Sequence, residues 1–411
     1  MTLTKHLYPL ILALLLVACS APVEKKKLEL KAGVYELLFD IGEVSIPARL
    51  RITENRLWCI HNWNETIMLD SIDIKDSLLS IDMPLFNTTL TAKILNDSVF
   101  VGKWTDHSRD SLYEIPFSAR LMSHDIASCD PKFKEHNNKL VYDVTFSPDS
   151  EEDRSRAIGE FYNSSNTIVG TFLTESGDYR YLEGTYTGSS LELSSFDGAH
   201  LFYFCANIEN NELTHGKFYS GKHWQEDWHG FINPQAQLRD PDSLTFVQDQ
   251  EEEFYFYAKN TSGDSILFDS SRFNGKVSVI QIFGSWCPNC TDESRFMKEL
   301  YEQYNNRGLE IIPVAFERTT EFNAGRDAVL KQFVELELKY PPYFGGQANK
   351  VIASQVFSKL SNITSYPTTI FIDKKGKIRK IHTGFYGPGT GEHYVSHTKE
   401  LRAFVEQLLA E

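Results

Sequence analysis

Two rhythms of apolar and polar residues divide this chain. From residue 28 to about 240 the apolar positions alternate over short runs, as in Ser45-Ile46-Pro47-Ala48-Arg49-Leu50-Arg51-Ile52 and Thr89-Leu90-Thr91-Ala92-Lys93-Ile94. A period of two places every second side chain on one face of a strand. Asn-Asp, Gly-Asp and Asp-Gly pairs between the runs supply the turns. No stretch here carries apolar residues at helical spacing over a convincing length, so the pattern predicts an all-β N-terminal region.

The region also repeats itself. Ala92-Lys93-Ile94 precedes Gly102-Lys103-Trp104 by the spacing that separates Ala206-Asn207-Ile208 from Gly216-Lys217-Phe218. Ala119-Arg120-Leu121 and Ala236-Gln237-Leu238 then close each block. A domain-sized period predicts a tandem pair of antiparallel β-domains, small barrels or sandwiches, at 28–122 and 138–240 with the split near 123–138.

Past Pro241 the rhythm changes. Residues 254–258 and 265–268 flank the turn Thr261-Ser262-Gly263-Asp264 and read as a hairpin. A run apolar on both faces, Lys276 to Phe283, suits a central strand covered by helices. A helix is expected from Pro288 to about Asn305, a second buried strand at 311–316, a helix at 326–338, a hairpin around Lys374-Lys375-Gly376-Lys377, and a last helix at 397–409. That order predicts an α/β domain over 254–411, a mixed sheet with helices on both faces.

Residues 10–17 are an apolar run too short to span a bilayer, behind a polar start at Lys5 and His6. The run ends in Leu16-Val17-Ala18-Cys19, which resembles a bacterial lipobox. The expectation is a signal peptide over 1–18, a lipidated Cys19 and a tether over 19–27, which would hold the protein on the periplasmic side, anchored to the inner or the outer membrane without a transmembrane helix. With 41 Lys+Arg against 56 Asp+Glu, a net −15, and no basic cluster, nucleic acid is excluded as a partner.

Six cysteines sort by context. Cys59, Cys129 and Cys205 are an odd number, with Cys59 and Cys205 in apolar strand-like stretches, and read as buried inert thiols; a disulfide between two of them stays open. Cys287 and Cys290 form a Cys-x-x-Cys where a buried strand meets a helix. Half a zinc site is the alternative, but no second ligand pair stands at finger-like spacing in this domain. At a helix N-terminus the macrodipole and free N–H groups stabilise a thiolate on an exposed first cysteine, and the second lies one turn along, within disulfide reach. Pro288 suits the first helical turn. Met297, Leu300 and Tyr304 mark the buried stripe, and four residues back from Met297 stands Glu293. Buried beside the second cysteine, its carboxyl would resist ionisation and could take the proton of Cys290; a partly solvated first-turn glutamate is the competing reading.

Gly284-Ser285-Trp286-Cys287-Pro288-Asn289-Cys290, Glu293, Tyr366-Pro367-Thr368-Thr369 and Asp373-Lys374-Lys375-Gly376-Lys377 together resemble the TlpA/ResA group of thioredoxin-like thiol–disulfide oxidoreductases. The resemblance covers residues 254–411 and implies a thioredoxin-like fold, an attacking Cys287, a resolving Cys290 and a cis Pro367 facing the pair. Tyr366 would present its backbone to a substrate chain, and Trp286 and Pro288 would frame the cysteines. Thioredoxin's buried aspartate is replaced by Gln281, while Glu293 matches the glutamate of ResA-like members and Glu317 a second acidic position. The cofactor expected is none beyond the Cys287–Cys290 disulfide. Implied partners are disulfide-bonded extracytoplasmic proteins, apocytochrome c among them, and a membrane electron donor. Pro288-Asn289 lacks the histidine of strongly oxidising relatives and points to a reductase.

Two other readings stay open. One makes the β-region a ligand- or protein-binding module with the C-terminal domain as accessory; the other is a peroxiredoxin-like peroxidase, which wants Thr-x-x-Cys where Trp286 stands. His393 and His397 read as a loop before the last helix, His215, His223 and His229 as packing or surface residues. Gly345-Gly346 and the stretch from Gly387 to Gly391 read as loops.

Overall fold

The computed structural model describes residues 29–123, 139–164, 166–249 and 251–411. The expected signal peptide, Cys19 with its tether, Cys129, and most of the expected split at 123–138 lie outside the described residues. Among the described residues before Pro241 every regular element is a strand.

The first sheet has nine antiparallel strands in the order Glu65–Leu69, Trp58–Asn62, Ser45–Ile52, Gly33–Asp40, Tyr113–Ser123, Val99–Asp106, Thr88–Asn96, Leu78–Asp82, Ile72–Lys75. Alternation decides what faces in: Tyr35, Leu37 and Phe39 on one strand, Ile46, Ala48, Leu50 and Ile52 on the next, all buried. Its two edge strands are joined by two residues, so the sheet curls into an open barrel. The second sheet closes, because Ser155–Ser164 pairs with both Lys139–Phe146 and Thr167–Thr174. Phe146, Phe161, Phe172, Phe204, Phe218 and Trp228 fill its interior, with Phe204 stacked on Phe218 at 4.3 Å between centroids.

In both sheets the first strand pairs with its successor and with the last strand. Ala92 faces Gly102 directly, and a Cβ on Gly102 would lie 1.9 Å from the Thr91 carbonyl oxygen. In the second sheet a bulge between Cys205 and Asn207 interrupts the same pairing. The third repeated phrase is not structural: Ala119 lies in a strand opposite Leu37, whereas Ala236 lies beyond Trp224–Ile232, in a turn closed on Asn233. Nor are the sheets beads on a string. Phe196, Leu201, Tyr203 and Tyr219 of the second enter the core of the first, and Asn62 exchanges hydrogen bonds with the Phe196 backbone.

Cys59 is buried and disulfide-bonded, so the inert-thiol expectation fails there. Cys205 is a free, half-buried thiol whose pKa burial pushes up.

The C-terminal domain is a seven-stranded sheet in the order Ser265–Phe268, Phe256–Lys259, Tyr343–Gln347, Leu309–Glu317, Val277–Phe283, Thr368–Ile372, Ile378–Thr383. Val277–Phe283 is buried throughout, Val277, Val279 and Phe283 on one face and Ile280 and Ile282 on the other. The three long helices, Pro288–Tyr304, Phe322–Glu335 and Glu392–Ala410, pack on the first face. The opposite face is covered by the short helices Ser270–Phe273 and Lys350–Val356 and by chain around Leu360 and Ile363, so helices stand on both faces as expected, with the three long ones sharing one face. Gly345-Gly346 belongs to the strand Tyr343–Gln347 rather than to a loop, because only glycine clears the Phe316 ring, 2.2 Å from a Cβ on Gly345. The last helix starts at Glu392, so His393 and His397 lie on a helix rather than in a loop; His393 Nε2 meets Glu160 Oε1 at 3.0 Å, and the His397 ring lies tilted against His382 at 4.4 Å between centroids.

Candidate active site

The central strand delivers the chain at Gly284 to a short turn, and the helix Pro288–Tyr304 starts with Pro288 in its first turn and Cys287 as its N-cap. Cys287 Sγ accepts from the Cys290 N–H at 3.2 Å. The two cysteines form a disulfide with Cα atoms 5.2 Å apart. The Tyr366–Pro367 peptide is cis, and the Tyr366 carbonyl oxygen stands 3.7 Å from Cys287 Sγ. Its neighbour Thr368 pairs with Ile282 at the end of the central strand. Cys287, Cys290, Tyr366 and Pro367 thus converge at the C-terminal end of the central strand, beside the start of its antiparallel neighbour Thr368–Ile372, where open sheets leave a crevice.

Cys290 is fully buried, and Cys287 is only 5 % exposed. Sequence predicted an exposed first sulfur. The difference arises because Trp286 and Tyr366 flank it on one side, rings 5.8 Å apart, and Asn289 on the other is packed under the second barrel, its Nδ2 donating to Asp178 O at 3.2 Å.

Glu293 lies one turn past Cys290 with no exposed surface, which removes the reading as a partly solvated glutamate. Thr369 Oγ1 donates to its Oε1 at 2.6 Å and Gln281 Nε2 to its Oε2 at 2.9 Å. Gln281 also reaches the Cys290 carbonyl oxygen at 3.2 Å. Burial pushes the Glu293 carboxyl up to about 7, and the two hydrogen bonds oppose the rise. Such an acid exchanges a proton near neutral pH.

Glu317 sits on the far side of the motif. It accepts from Ser285 N at 2.8 Å and Ser285 Oγ at 2.7 Å, fixing the turn before the cysteines. Burial pushes this carboxyl up to about 7 as well. Trp286 Nε1 donates to Phe316 O at 2.9 Å, and the Arg318 guanidinium lies 4.5 Å from the Trp286 ring centre. Arg318 in turn reaches Asp106 of the first sheet at 3.4 Å. Gln332, from the next helix, donates to Ser285 O and Thr291 Oγ1.

Sequence reasoning missed Thr369, Gln332, Arg318, Asp178 and Arg180 as neighbours of the pair. Thr369 was in view beside the proline, and the polar Gln281 in an apolar strand was the signal that a buried polar partner must lie opposite. Nothing in the sequence links residues 178 and 180 to a site more than a hundred positions on.

The Redoxin family model matches residues 246–394. Thiol-disulfide oxidoreductase ResA of Halalkalibacterium halodurans is 30 % identical over 153 residues, 37 % of this chain and 75 % of that protein. ResA of Geobacillus kaustophilus is 32 % identical over 134 residues, 30 % of this chain and 68 % of that protein. The chain spans about half the length of the Bacillus thuringiensis ResA it matches, at 32 % identity over 109 residues, 26 % of this chain and 54 % of that protein. A solved secreted thiol-disulfide isomerase from Corynebacterium glutamicum aligns over 43 % of this chain and 99 % of its own, at 16 % identity and a TM-score of 0.32. The Redoxin model falls on the domain that carries the cysteine pair, and with three quarters of a ResA protein covered at 30 % identity, this chain belongs to the ResA family of thioredoxin-like proteins.

Proposed function

We propose that the chain is a thiol–disulfide oxidoreductase working in the reducing direction on extracytoplasmic proteins. The observation that carries this is the convergence of the Cys287–Cys290 pair, the cis Pro367 and the buried Glu293 at one strand end. In the reduced enzyme the Cys287 thiolate attacks one sulfur of a substrate disulfide. The substrate's other sulfur leaves as a thiolate and takes a proton from solvent. Cys290 then gives its proton to the Glu293 carboxylate and attacks Cys287 Sγ, releasing the second substrate thiol. Two electrons pass to the substrate, and the enzyme is left as the disulfide. Thr369 and Gln281 hold the carboxylate in place for that proton, and Tyr366 offers its backbone to the substrate segment.

No dissociable cofactor enters this cycle. The next dithiol comes from a membrane electron donor, and Cys19 anchors the protein by lipid on the extracytoplasmic side. Apocytochrome c is one client of fitting chemistry. Among the described residues no helix is long and apolar enough to cross a membrane. The aromatic packing inside the second sheet speaks against an apolar ligand there.

A redox titration of the full chain, trapping free thiols across a glutathione and dithiothreitol series, tests the proposal. The expected result is one reversible two-electron transition below the glutathione poise, lost in Cys287→Ser. The absence of any reversible transition would leave the pair structural.

A further inference from the structure

The second sheet reaches across to the cysteine pair through its short segment 175–181, between Thr167–Thr174 and Leu182–Tyr186. Glycines stand wherever that segment touches the C-terminal domain most closely. A Cβ on Gly177 would fall 1.9 Å from Asn289 Nδ2, between the two cysteines, and 2.8 Å from Phe385 O. From the other side, a Cβ on Gly384 would fall 2.8 Å from the Ser176 carbonyl carbon, and one on Gly389 3.0 Å from that of Arg180. Contacts this short, against the Asn289 amide and against the Ser176 and Arg180 backbone, leave no room for a Cβ at Gly177, Gly384 or Gly389. The loop from Gly384 to Gly389 is therefore a seat shaped for this segment.

Polar groups fasten the seat. Gly387 N–H donates to Asp178 Oδ2 at 2.6 Å, and Asn289 Nδ2 to Asp178 O at 3.2 Å. Arg180, itself buried, ties all three parts of the protein together. It pairs with Asp292, two residues past Cys290, at 2.8 Å, and with Glu65 of the first sheet. Asp197 of its own sheet lies 3.7 Å from its Nε. A buried arginine held by carboxylates from separate elements is a geometric lock, since moving any one of them strands a charge.

Gly384 N–H also donates to Pro367 O at 2.8 Å, so the seat adjoins the cis-proline. The Asn289 side of Cys287 is walled off, and the remaining approach lies over the half-buried Trp286 and Tyr366. We propose that residues 177–180 are a fixed wall of the dithiol site and determine its specificity. They admit a disulfide in an extended, unfolded polypeptide segment and turn away one lying on a folded surface. This rests on the oxidoreductase reading above and names its substrate class.

The test compares rates at which the reduced full chain reduces an unstructured disulfide-linked peptide and folded insulin. The expected result is a preference for the peptide of about tenfold or more. Gly177→Ala, which wedges the segment off Asn289, and Arg180→Met, which opens the lock, should both shrink that ratio several-fold. A peptide-to-insulin ratio near one in the wild type would overturn the wall even if neither variant folds, and so would a ratio unmoved in folded variants. Reduction of neither substrate would overturn the oxidoreductase reading, and this one with it.

Discussion

Thr369 Oγ1 donates to Glu293 Oε1 at 2.6 Å, joining the strand after the cis-proline to the helix that carries both cysteines. A hydroxyl aimed at a buried carboxyl stabilises its charged form and opposes the upward pull of desolvation.

Thr369→Val keeps the shape and removes that donor, so burial acts with less opposition and Glu293 holds its proton to higher pH. The pH profile for resolution of a mixed disulfide on Cys287 should move to the alkaline side by about half a unit to one unit. Stopped-flow release of the substrate thiol would read it. An unmoved profile would mean that another group accepts the Cys290 proton.

Burial of Glu293 also links stability to pH. Its carboxyl rises from 4.5 to about 7 in the folded protein, so the native state binds the proton more tightly than the unfolded chain. The stability this contributes is full below the unfolded value and is lost as pH rises through the folded one. Glu293→Gln cannot ionise, so its stability relative to wild type should improve across this window, by on the order of 3 kcal/mol in total. Urea unfolding at several pH values measures this, and a gap constant with pH would refute the assignment.

Glu317 accepts hydrogen bonds from both Ser285 N and Ser285 Oγ. Glu317→Leu strands a buried N–H and a hydroxyl and should destabilise the chain by about 2–3 kcal/mol. Glu317→Gln retains an acceptor and should lose less. Thermal melts of the two variants give the order directly.

Phe204 lies 4.3 Å from Phe218 and 4.5 Å from Phe172 between centroids, at the centre of the second barrel. Phe204→Ala should cost about 3–5 kcal/mol through the cavity it opens. If the barrel interior were instead a ligand chamber, the loss would be small, as denaturant midpoints would show.

Local chemistry made much of this protein legible in advance. The alternating runs foretold strands because a half-buried strand needs period two whatever its partners are. The Cys-x-x-Cys and Pro288 pointed to a redox pair because helix capping acts within a few residues, whereas Tyr366-Pro367-Thr368-Thr369 was tied to that pair only by the family resemblance. Even the acidity of Glu293 was readable, since its spacing from Met297 put it on the buried stripe of the helix.

The sequence by itself thus determined the classes of element, the cysteine pair proposed to react and the proton acceptor proposed to serve it, all of them short-range matters. Only the tertiary structure decided that Gly384, Gly387 and Gly389 receive a segment two hundred residues earlier, that Arg180 locks Asp292 to Glu65, and that Cys287 is buried. These relationships arise from packing between elements far apart in the chain. A glycine or an arginine has the same local propensity whether it meets solvent or another domain, so no local pattern records which neighbour it will have.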